Sequence, residues 1–189
     1  ERLLRLTPYA RVEFEQSYQA AGDPIEQARR SIARSYMGFG SASLETTVTG
    51  FRDTAKRSGT IPAHDWARFP AQLEHFCNRL AGVVIESRDA LEVIQRQDDR
   101  TTLFYVDPPY PHITRGRVRV HRYRVEMTDE QHRQLAAALH QVKGIVVLSG
   151  YDCELYRELY ADWQVVTRET HADGALDRTE SLWLSPRVT

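Results

Sequence analysis

Thr102-Leu103-Phe104-Tyr105-Val106-Asp107-Pro108-Pro109-Tyr110 is the stretch on which the reading of this chain turns. Its first five residues are apolar or β-branched, and they read as a short buried strand. The strand ends in an acid, two prolines and an aromatic ring. Neither proline has an N–H, so neither continues a sheet ladder. Pairing therefore stops at Asp107, and the carbonyls of Asp107 and Pro108 become outward acceptors at the strand's C-terminal end. In open α/β sheets that edge is where ligands bind.

Such a set suits methylation of an exocyclic amino group on a base. An aromatic amine is a poor nucleophile because its lone pair is delocalised into the ring. The Asp107 carboxylate and the Pro108 carbonyl can hold both amine hydrogens and draw the nitrogen toward a tetrahedral geometry. Tyr110 can stack on a flat base that has left the helix stack. The competing reading of the same residues is a proline-rich turn with an Asx cap.

Four other stretches accompany the motif. They are Thr7 to Phe14, Val83 to Ala90, Val146 to Tyr151, and Arg178 to Leu184. Together with Phe104 to Tyr110 they resemble, in order and over nearly the whole chain, a DNA adenine-N6 methyltransferase of the Dam type, as found in bacteria and prophages. Only Asp107-Pro108-Pro109-Tyr110 is specific on its own. The resemblance implies S-adenosylmethionine as cofactor, double-stranded DNA as partner and the bacterial cytoplasm as location. It also implies an N-terminal block with a Phe-x-Gly-x-Gly cofactor turn. No such block precedes Glu1, so the chain is expected to lack that part of a full enzyme. Gly38-Phe39-Gly40-Ser41 is a poor substitute, because it follows a helical pattern rather than a strand.

Composition sets wider bounds. The 189 residues, 41% hydrophobic, suffice for one core and a small appended lobe. No apolar run approaches membrane-spanning length and no signal peptide is visible. Cys77 and Cys153 fall in separate expected helices, with buried free thiols as the expectation. The histidines lack metal-ligand spacing, so no metal site is expected. The net charge of −1 excludes a uniformly basic nucleic-acid binder. Basic residues nevertheless cluster from Arg29 to Arg68. Five arginines and no acid lie between Pro111 and Val125. Such clusters can track phosphates, although solvated surface is the ordinary role of any one arginine.

The expected fold class is α/β: an incomplete Rossmann-like methyltransferase sheet beside a mostly helical target-recognition lobe. Residues 1–80 form the lobe. Asp23-Pro24-Ile25-Glu26 reads as a helix start with a capping box. A polar loop runs from Gly38 to about Pro62. A further helix starts near Pro70 with Leu73, Phe76, Cys77 and Leu80 on one face. Residues 81–189 form the catalytic part, in which strands and helices alternate. Strands are expected at Val83 to Glu86, Leu103 to Val106 and Ile145 to Ser149. Two more, near Trp163 to Thr167 and Ser181 to Leu184, make an antiparallel hairpin. Helices are expected from Asp89 to Gln95, from Thr128 onward, and through Leu155 and Leu159.

The candidate catalytic residues are Asp107, Pro108, Pro109 and Tyr110. By resemblance, Asp89 and Ala90 face the adenine of the cofactor, with Asp107 also contributing. Asp89 serves equally as an N-cap. Candidate DNA contacts are Arg52, Lys56, Arg57 and Arg68 in the lobe and His112, Arg115 and Arg117 after the motif. Tyr151 and Tyr123 are read as packing rings, and Trp66, Trp163 and Trp183 as core. Two alternatives stay open: a catalytically inactive DNA-binding fragment, and an amino-methyltransferase acting on cytosine N4, RNA adenine or protein glutamine. The recognition sequence and oligomeric state are not legible.

Overall fold

In the computed structural model the described residues are 1–39, 48–54, 60–111, 113, 126–172 and 176–188. They form a mixed α/β protein whose contacts divide it into two units, Glu1–Val84 and Ile85–Thr189.

The first unit is helical. Its elements are α1 (Arg2–Leu6), α2 (Arg11–Gln16), α3 (Pro24–Met37), α4 (Pro62–Arg68), a 3-10 turn at Phe69–Gln72, and α5 (Leu73–Leu80). Asp23 caps α3 by accepting from the Glu26 N–H at 2.9 Å, and Pro24 stands in the first turn, where its missing N–H costs nothing. The Glu26 side chain does not close the expected capping box. It turns instead to the guanidinium groups of Arg29 and Arg30, which offer charge-assisted bonds that an N-cap amide cannot match. Arg29 also reaches Glu13 at 2.8 Å and so ties α3 to α2. Leu4, Phe14, Ala33, Met37 and Trp66 make the core, and the Trp66 indole donates to the Thr7 carbonyl at 2.8 Å. On α5 the expected apolar face exists, but no residue of that helix is buried. Cys77 is exposed there, contrary to the expectation of a buried thiol.

The second unit holds a four-stranded sheet in the order β1-β2-β4-β3, with β1 (Leu103–Val106), β2 (Ile145–Gly150), β3 (Gln164–Ala172) and β4 (Leu176–Leu184). β1 and β2 are parallel, and β4 lies antiparallel to both β2 and β3. The helices are α6 (Ala90–Gln97), α7 (Asp129–Gln141) and α8 (Glu154–Leu159). Thr128 and Gln131 form a reciprocal capping box at α7. The hairpin, the helices and two of the three other expected strands therefore stand as read from the sequence.

Side chains alternate along a strand, so each strand shows one residue set to each face. Val146 and Leu148 of β2, with Trp183 of β4, meet Ile94 of α6, Leu135 and Leu139 of α7, and Tyr156 and Tyr160 of α8. Burying each large aliphatic side chain of that set contributes about 1.5–3 kcal/mol. On the opposite face Leu103 and Tyr105 are 63% and 64% exposed, so among the described residues β1 is packed on one face only. The expected strand at Val83 to Glu86 does not form, and Val84 and Ile85 are 83% and 84% exposed. Gly82 turns the chain with φ +84° after α5, and the segment that follows pairs with no strand. A strand persists only where a neighbour takes its N–H and C=O groups. No helix among the described residues is long and apolar enough to cross a membrane.

Candidate active site at the ends of β1 and β2

The parallel register sets the site. Val106 lies opposite Leu148, so both strands deliver their next residues to the same end of the sheet. Beyond β1 come Asp107, Pro108, Pro109 and Tyr110. Beyond Leu148 come Ser149, Gly150 and Tyr151. No described residue from Asp107 to Tyr110 is in a strand or helix, which is what two residues without an N–H impose.

The Asp107 side chain is exposed, and among the described residues it makes no hydrogen bond or ion pair. Pro108 is buried. The Tyr110 hydroxyl and Ser149 Oγ share a hydrogen bond of 3.1 Å. The Tyr151 ring meets the Tyr110 ring edge-on, with centroids 4.8 Å apart and planes at 74°. Burial pushes the Tyr110 phenol up to about 12, the nearby Asp107 charge adds to that, and the bond to Ser149 opposes it. Tyr110 is therefore a neutral phenol at physiological pH.

A cavity of about 750 Å³ opens beside the motif. Glu86, Arg88, Asp89 and Ala90 line one side, and Asp107, Pro108 and Pro109 another. Leu91, Ile94, Phe104, Val106 and Leu135 supply its apolar wall. Asp89 caps α6: its Oδ1 accepts from the N–H groups of Leu91 at 2.9 Å and Glu92 at 3.3 Å. Glu86 pairs with Arg88 at 3.1 Å and with Arg96 at 3.7 Å. A second hollow of about 630 Å³ lies against Tyr151, Cys153, Glu154 and Arg157. There Arg157 holds Asp152 through two bonds of 2.6 and 2.7 Å, which lowers the Asp152 carboxyl. Burial raises the Cys153 thiol, so this half-buried residue is a poor thiolate nucleophile.

The structure thus brings Asp89, Ala90, Asp107, Pro108 and Pro109 to one cavity, and Tyr110 follows next in the chain. Arg52 sits in the first unit, where its guanidinium donates to the Tyr36 carbonyl at 3.3 Å. Arg68 is exposed in the last turn of α4. Lys56, Arg57, His112, Arg115, Arg117 and Tyr123 lie outside the described residues, as do Gly40 and Ser41. Gly38 is the C-cap of α3, which is a helix end rather than a strand end. Among the described residues no group of three or more His, Cys, Asp or Glu is placed to hold a metal. Sequence reasoning missed Ser149 and the cavity residues Glu86 and Arg88. The signal for Ser149 was the parallel pairing itself, since two adjacent parallel strands end side by side.

An open carboxylate and a stacking ring at the C-terminal ends of parallel strands suit a transferase for a planar amine. The chain belongs to the D12 class N6 adenine-specific DNA methyltransferases, whose family model matches residues 7–173. It is an enzyme of the class that methylates adenine in DNA. No curated protein matches the chain.

Proposed function

We propose that this chain carries the target-base and cofactor-facing residues of a site-specific enzyme that moves a methyl group from S-adenosylmethionine to the N6 amine of a flipped adenine in double-stranded DNA. The observation that carries the reading is the Asp107 carboxylate. It is exposed and unpartnered among the described residues, it lines an apolar-walled cavity, and its charge acts on the nearby Tyr110 phenol.

The cavity residues fit the cofactor's chemistry. A volume of about 750 Å³ lies within the range of small-molecule sites. Its apolar wall would suit a purine face, and Asp89 and Ala90 at the start of α6 would suit the purine edge, with Asp107 lining the same cavity. When bound, S-adenosylmethionine supplies a methyl group on a positively charged sulfur. Asp107 and the Pro108 carbonyl accept the two amine hydrogens of adenine and free its lone pair. Tyr110 stacks on the ring. Held in this way, the amine would be placed to take up that methyl group as the neutral thioether departs, and its surplus proton would pass to water. Asp107 stabilises the positive charge that builds on nitrogen, and Pro108 and Tyr110 help to fix the orientation of the base.

The parallel β1–β2 pair with its antiparallel β4–β3 extension is consistent with part of a Rossmann-like sheet. The helical first unit is read as the target-recognition lobe, with Arg52, Lys56, Arg57 and Arg68 toward phosphates. His112, Arg115 and Arg117 follow the motif, where a flipped nucleotide would arrive.

The test is transfer of radiolabelled methyl from S-adenosylmethionine to unmethylated bacterial DNA, with Asp107→Ala as control. Label recovered as N6-methyladenine and lost in the variant is the expected result. Label in protein or cytosine but not in adenine would overturn the reading.

A further inference from the structure

We propose that Ser149 is a positioning residue: its hydroxyl, delivered by the strand parallel to β1, holds the Tyr110 hydroxyl and, with the Tyr151 ring, fixes the plane in which Tyr110 receives the flat substrate. This rests on the proposed function only for its kinetic consequence. The geometry stands by itself.

Four observations converge. The ladder between β1 and β2 ends at Val106 and Leu148, so Ser149 lies one residue beyond it, at the sheet end from which the motif departs. Its Oγ is 3.1 Å from the Tyr110 hydroxyl, across 39 positions of sequence. The Tyr151 ring contacts the Tyr110 ring edge-on at 4.8 Å, so Tyr110 is bounded at its tip and along its ring. The strand end that carries Ser149 is closely packed from behind. A Cβ on Gly150 would lie 2.5 Å from the ring of Tyr156, which is fully buried in the core. Tyr156 thus packs directly on the backbone next to Ser149.

A tyrosine ring held only at Cβ has a broad, two-fold torsion about χ2. A stacking platform with that freedom presents many planes to a base, whereas catalysis depends on a narrow geometry. One hydrogen bond at the para position, plus a T-shaped contact with a second ring, removes most of that freedom before any substrate arrives. Ser149 therefore acts through Tyr110 and need not touch the reacting atoms.

The experiment has two readouts. In the free protein, NMR of ring-labelled tyrosine reports the Tyr110 resonances, assigned by their loss in Tyr110→Phe. The expected wild-type spectrum shows ring protons displaced by Tyr151. In Ser149→Ala they move toward free-tyrosine values, and in Ser149→Thr, which keeps the hydroxyl, they stay near the wild-type positions. Tyr110 resonances unchanged in a folded Ser149→Ala protein would overturn the proposal whatever the enzyme's activity. In methyl transfer, Ser149→Ala and Tyr110→Phe each lower kcat by roughly two- to tenfold, the size expected from one neutral hydrogen bond, with KM for S-adenosylmethionine unchanged. The double variant loses no more than either single one. Additive losses would also overturn the proposal. A wild-type protein that transfers no methyl would count against the proposed function, while the resonance shifts would still decide the role of Ser149.

Discussion

Asp98 accepts the backbone N–H of Gly144 at 3.1 Å, across 46 positions, and that of Lys143 at 2.7 Å. One carboxylate at the end of α6 thereby anchors the turn that leads into β2. The Ile145 N–H then bonds to the Thr102 carbonyl at 2.9 Å, and the parallel register starts there. The chemistry at the far ends of the strands depends on where this near end is pinned.

Gly144→Ala tests that dependence. A Cβ at position 144 would lie 2.6 Å from the Thr102 carbonyl oxygen and 3.0 Å from that of Asp99. Both are backbone atoms, so the strands must part. The expected cost is about 1–3 kcal/mol, the usual range for overpacking, read as a lower midpoint in thermal or urea unfolding. An unchanged midpoint would mean that the two strands do not approach as described.

Asp107→Asn separates catalysis from folding. The side chain is exposed and makes no bond among the described residues, so unfolding stability should stay within about 0.5 kcal/mol of wild type. Methyl transfer should fall by at least about a hundredfold, because an amide presents one acceptor oxygen and no charge to a nitrogen that becomes positive. A large loss of stability would recast Asp107 as a structural cap of the proline turn.

Much of this was legible from residue patterns, for definable reasons. Asp-Pro-Pro after an apolar run is a statement about missing N–H donors, and the structure ends β1 there. The Thr128–Gln131 box and the Asp89 cap are local bonds, so they read directly from the chain. What failed depended on partners. Val83 to Glu86 has strand composition but no neighbouring strand, and Cys77 has helical spacing but no cover. Periodicity describes a face and cannot say what lies against it. Ser149 stood in a stretch the sequence singled out, but its partner, Tyr110, lies 39 positions away and only the pairing of the strands brings them together.

Glu26 gives the first unit a defined acid sensitivity. Its hydrogen bonds to Arg29 and then to Arg30 pull its carboxyl from 4.5 down to about 2. A carboxyl depressed on folding contributes stability that is fully present above its unfolded value and is lost as pH falls through its folded value. Glu26→Gln should therefore melt below wild type at pH 6 and 7. The gap should narrow below about pH 4.5 and close near pH 2. A gap independent of pH would assign the effect of Glu26 to packing instead of charge.

The face of β1 that the described residues leave exposed predicts surface behaviour. Parallel strands are ordinarily covered on both faces, yet Leu103 and Tyr105 stand 63% and 64% exposed on a strand that is also the sheet's edge. An apolar edge strand of this kind invites pairing with other chains. The double substitution Leu103→Lys and Tyr105→Lys places charge on that face without touching Phe104 and Val106, which pack into the core. It should lower binding of an apolar dye and reduce concentration-dependent light scattering, while the thermal midpoint shifts little. Lysine at an edge is a common natural means of blocking such pairing. If scattering and dye binding stay at wild-type levels in the double variant, the face is covered in solution. If the midpoint instead collapses, Leu103 and Tyr105 belong to a buried layer and the exposed reading of this face is wrong.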